Sequence, residues 1–86
     1  MVDRRLIRDS LESFGKITEV YEVTTFTGHR NGKVITVRIL DQGEDCPDPS
    51  IRFVCESTQD DGKEARGNEA STVDQAIGIV HWEKLD

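Results

Sequence analysis

Lys33-Val-Ile-Thr-Val-Arg-Ile-Leu40 is the stretch that decides how this chain is read. Ile35, Val37 and Ile39 alternate with Val34, Thr36 and Arg38, the period-two pattern of a strand with one buried face. Upstream, Lys16–Thr27 (KITEVYEVTTFT) is rich in β-branched and aromatic residues and suits a partner strand. Gly28-His-Arg-Asn-Gly32 lies between them as a five-residue turn with glycine at each end, so the two strands form a hairpin.

Downstream, residues 41–50 (DQGEDCPDPS) have loop composition, with two prolines, one glycine and four acids. Ile51–Thr58 is a third strand, with Ile51, Phe53 and Cys55 inward and Arg52, Val54 and Glu56 outward. Gln59-Asp-Asp-Gly62 makes a turn, and residues 63–67 are either a short fourth strand of weak pattern or a loop. Asp3 caps an amphipathic helix over residues 3–14, whose Leu6, Ile7, Leu11 and Phe14 share one face and which Gly15 ends in a left-handed conformation. Ser71 or Thr72 caps a last helix, with Asp74 in capping-box position to Ser71. The order α-β-β-β-(β)-α predicts a single α+β domain over residues 1–86. It is an antiparallel meander of three to four strands with both helices packed on one face.

Eighty-six residues leave no room for a second core. Residues 1–40 carry seven basic and five acidic side chains (+2) and residues 41–86 four basic and twelve acidic (−8), which gives the net −6. The acidic second half repels phosphate backbones and anionic lipid, which argues against nucleic acid and membranes as partners. It is a solvated surface or a face for a basic protein. No apolar run spans a bilayer and the first residues lack a signal-peptide core, so a cytoplasmic location is expected. Cys46 and Cys55 are then free thiols, Cys55 in the core and Cys46 exposed in its loop. His29 and His81 show no ligand spacing with either cysteine, so no metal or other cofactor is expected. The chain has no phosphate loop, nucleophile elbow or two-histidine helix, and the expectation is a protein that is not an enzyme.

In the last helix Val73, Ala76, Ile77 and Val80 cluster on one side, at 100° per residue, while Trp82 and Ile79 fall elsewhere. Either the helix breaks after Val80 and Trp82 and Leu85 fold back as a clamp, or Ile79 and Trp82 form an apolar patch for a partner.

The element order resembles the double-stranded RNA-binding domain. Gly28-His29-Arg30-Asn31-Gly32-Lys33 is similar to that family's loop that enters a minor groove, and Ala65-Arg66-Gly67-Asn68 to the segment before its second helix. The resemblance implies an αβββα fold, with RNA contacts from His29, Arg30 and Lys33. The family's basic phosphate grip at the second helix is absent, because Ser71, Thr72, Val73, Asp74 and Gln75 stand there, with Glu69 nearby. The leading expectation is a small non-catalytic interaction or regulatory module, a monomer or weak homodimer. Its partner is a protein, a basic one on the charge argument, that docks on Ile79 and Trp82. The alternative is a degenerate RNA-binding module that uses the His29/Arg30/Lys33 loop and the first helix.

Overall fold

Asn31 and Gly32 alone turn the hairpin. Both take positive φ, 52° and 78°, as a two-residue type I′ turn requires. The computed structural model describes residues 3–86. Because the turn is so tight, the first strand, β1 (Glu22–Arg30), absorbs Gly28, His29 and Arg30, which the paired glycines predict as turn. It begins later than expected because Lys16 and Glu19 adopt positive φ, 56° and 55°, and bend residues 16–21 out of any strand. β2 (Lys33–Asp41), β3 (Phe53–Gln59) and β4 (Glu64–Arg66) follow in a four-stranded antiparallel sheet of order β1-β2-β3-β4.

Register assigns the faces. Phe26, Val37, Ser57 and Ala65 stand side by side across the four strands, and Thr24, Ile39 and Cys55 form the neighbouring row. This face carries the core of Ile35, Ile39, Cys55, Ala65, Ala70, Ala76, Val80 and Leu85. Val54, expected outward, is also buried. Ile51, expected inward, lies exposed in a 3-10 turn (Pro49–Ile51) that ends the loop before β3.

The last helix, α2 (Val73–Gly78), is shorter than its pattern suggests. Its N-cap is Thr72, whose hydroxyl accepts from Gln75 N–H, while Ser71 bonds the Gln75 side chain. The cap is thus Thr72 on Gln75 N–H, in place of the expected Ser71/Asp74 box. Ala76 and Val80 are buried, whereas Val73 and Ile77 stay part-exposed. After Val80 the chain reverses into a second 3-10 turn, Trp82–Leu85, and Leu85 sinks into the core. Gln59 Nε2 donates to the Leu85 carbonyl at 3.0 Å, and Arg30 pairs with Asp86 at 2.6 Å. Lys63 Nζ donates to the Asp86 carbonyl at 2.6 Å.

The first helix, α1 (Arg4–Gly15), forms as expected behind Asp3, whose carboxylate accepts from Arg5 and Leu6 N–H. Lys16, not Gly15, takes the left-handed position. Gly15 serves the cap differently, since a Cβ there would press on the Ile17 side chain at 3.1 Å. The α+β layout stands, but α1 does not cover the sheet: all twelve of its residues keep exposed surface. The radius of gyration is 14.7 Å over extents of 43 × 24 × 23 Å. A compact chain of this length has about 12 Å.

Candidate functional site

Arg4 and Arg8 decide what α1 presents. Arg4 Nη2 donates to the carbonyls of Val20 (3.3 Å) and Asp41 (3.1 Å), at the corner where β1 begins and β2 ends. Gly43 makes this possible: it takes φ +98°, and a Cβ there would collide with the Arg4 guanidinium. The corner is organised by Asp41, whose carboxylate accepts from Arg52 Nε at 2.8 Å, Arg52 Nη2 at 3.1 Å and Gly43 N–H at 2.7 Å. Partial burial works against the Asp41 charge. The hydrogen bonds from Arg52 and Gly43 and the field of Arg52 and Arg4 outweigh it, and the pKa falls below the ordinary value. Arg52 is held in turn over the Phe53 ring, 4.7 Å from its centroid. One turn along α1, Arg8 pairs with Asp45.

The helix is therefore docked by its cationic side, and its apolar side faces solvent. Phe14 is 88% exposed, Leu6 64% and Ile7 42%. These residues, with Leu11 and Ser10, line a shallow apolar groove along α1. A second unburied apolar surface lies on the sheet. α2 and the Trp82–Leu85 turn cover the β3–β4 side of the core face, and the β1 side stays bare, with Phe26 59% exposed beside half-buried Val37. On the other flank of α1, Asp9, Glu12, Glu19, Asp45 and Asp48 line an acidic groove with Cys46 and Ile51.

Trp82 is half-buried and packs on the core, its indole Nε1 donating to the Ile77 carbonyl at 3.0 Å. Of the two arrangements open in the sequence, this is the clamp. Ile79 is 44% exposed, and the backbone at Ile79–Val80 passes over Gly67, where a Cβ would meet it at 3.1 Å. In the hairpin, Arg30 is engaged by Asp86 and Lys33 by Asp61 at 3.0 Å, while His29 is exposed. Cys46, expected at the surface, is buried, its thiol within reach of Gln42 Oε1 (3.3 Å) and the Asp48 carbonyl (3.1 Å). The loop folds back through Cys46 N–H to Gly43 O, which loop composition alone does not reveal. Both cysteines are unpaired, and burial pushes the Cys55 thiol up.

Asp61 accepts from Lys63 N–H and from Lys33 Nζ, and these bonds lower its pKa to about 2. The unfolded carboxylate titrates near its ordinary 3.8, so the ionised form favours the folded state. Its stabilising effect is complete above that value and is lost as pH falls through about 2. In urea unfolding across this range, wild type is expected to lose stability with acidification more steeply than Asp61→Asn. Parallel pH profiles would contradict the assignment.

Among the described residues no group of three or more His, Cys, Asp or Glu is placed to hold a metal ion, and no helix is long and apolar enough to cross a membrane. Compared with known proteins, the chain matches no family model, no curated protein and no solved structure.

The sequence identified the apolar residues of α1 but assigned them to the core. Phe26 fell within a predicted strand without being singled out. Periodicity says which residues share a face, and it does not say what the face meets.

Proposed function

We propose that this protein is a small non-catalytic interaction module whose docking surface is the apolar side of α1. The observation that carries this is the inverted docking of the helix. Arg4 and Arg8 tether it to the corner at 41–45, and Leu6, Ile7 and Phe14 are left to solvent. A helix held for stability alone buries its apolar stripe. One held by its charged side leaves that stripe for a partner.

The carboxylates support a non-catalytic reading. Asp41, Asp48 and Asp61 are each held ionised by hydrogen bonds from neighbouring groups, whereas a general acid needs a raised pKa. The engagement of Arg30 and Lys33 by carboxylates favours protein over duplex RNA, since both cations would have to exchange an existing partner for phosphate. The likeness to the double-stranded RNA-binding domain then concerns layout, and binding would use a different face from Ile79 and Trp82.

Affinity capture from extract of the source cells tests the reading, with wild type and Phe14→Glu as baits. A protein held by wild type and lost by Phe14→Glu is the expected result, whether it is another protein or a second copy of this chain. Identical capture by both baits would overturn the proposal.

A further inference from the structure

Resting on that reading, we infer that the occupant of the α1 face is a second copy of this chain. The helix of each copy is seated on the bare β1 side of the partner's sheet, around Phe26 and the half-buried Val37 beside it. Each chain carries both halves of the contact, an unpartnered amphipathic helix and an uncovered patch on the core face of its own sheet, where Phe26 stands exposed beside half-buried Val37. The chain does not close one onto the other, because residues 16–21, with positive φ at Lys16 and Glu19, and the Arg4 tether hold α1 beside the sheet. The excess radius of gyration is the geometric trace of that separation. Reciprocal exchange between two copies satisfies both surfaces around one two-fold axis, a closed arrangement that needs no third copy.

The area is adequate. A large aromatic side chain carries about 150–250 Å². Leu6, Ile7, Phe14 and Phe26 at their observed exposures therefore offer on the order of 500 Å² per chain. Two copies would bury on the order of 1,000 Å², near the lower end of specific interfaces, which suits a dimer with micromolar Kd. Each copy carries a net −6, so the pair repels at long range and added salt should tighten the dimer.

The test is light scattering behind size exclusion, run from about 10 to 500 µM to bracket micromolar association. It uses wild type, Phe14→Glu and Phe26→Glu, with circular dichroism as a check on folding and the milder Phe26→Thr if Phe26→Glu unfolds. Wild type is expected to reach twice the chain mass, and either substitution alone to shift it to monomer. The decisive arm mixes Phe14→Glu with Phe26→Glu. Helix-to-sheet exchange leaves one intact contact in the mixed pair, so mixing restores association that neither variant shows alone. A dimer that survives Phe26→Glu pairs helix to helix, and one that survives Phe14→Glu pairs along the β1 edge; either result overturns the inference. So does a dimer that salt dissolves. A wild-type monomer whose extract capture is still lost in Phe14→Glu overturns the exchange and leaves the docking surface standing. A monomer with unchanged capture removes both.

Discussion

Leu85→Ala is expected to cost about 2–5 kcal/mol, the range for truncating a buried leucine. Leu85 is 1% exposed and belongs to the cluster that joins β2, β3, β4 and α2. Removing it leaves a cavity between the sheet and the terminal turn, and the turn offers little to collapse into that space. Its backbone is fixed by Gln59 at Leu85 and by Lys63 at Asp86. A domain of this size has roughly 5–15 kcal/mol of total stability, so the loss is a large fraction. Each kcal/mol moves the midpoint by about 4–8 °C, and thermal unfolding is expected to fall by about 10 °C or more. A shift under about 2 °C would mean the terminal turn is not part of the cooperative unit.

Asp41→Ala is expected to cost about 2–3 kcal/mol and to free α1. Asp41 receives three hydrogen bonds, two of them from Arg52, and bonds to charged groups contribute about 1.5–3 kcal/mol. With the carboxylate gone, Arg52 and Arg4 share a corner without their counter-charge, and Gly43 loses the bond that shapes its turn. Hydrogen exchange should therefore quicken across residues 4–15 while amides of β2 and β3 stay protected. The pH dependence runs the same way. Because the folded pKa is lowered, the corner's stability is present above the ordinary carboxylate range and fades as pH falls through the lowered value. Unchanged exchange in α1 would show that Arg8 and Asp45 suffice to hold the helix.

How much of this was legible depends on the reach of each signal. β2 read true because alternation over eight residues is a local pattern with one structural meaning. The hairpin turn was misplaced although its signal was present. Asn31-Gly32 is the strongest two-residue turn pair, and the flanking Gly28 drew the boundary three residues too early. The positive φ values at Lys16 and Glu19 have no sequence mark, since neither is glycine or asparagine. They displace β1 and set α1 aside, so the largest departure from the expected fold starts at two residues with no local cue. The site suffered from the same blindness. Phe14 and Leu6 are written as core residues, and the tethers of Arg4 in the Gly43 notch and of Arg8 on Asp45 turn them outward. Trp82 was the reverse case, its outward angle computed on a straight helix that ends at Gly78.

The terminal turn also has a consequence for biosynthesis. Leu85 completes the core, and Asp86 is held by Arg30 and Lys63, residues made much earlier. A nascent chain emerging from the ribosome only as far as residue 80 can pair its strands and lay α2 on β3, but it lacks the turn that packs on β4 and the Leu85 side chain that fills the core. Folding of this domain should therefore wait for residues 81–86 and complete in one step once they are free to pack.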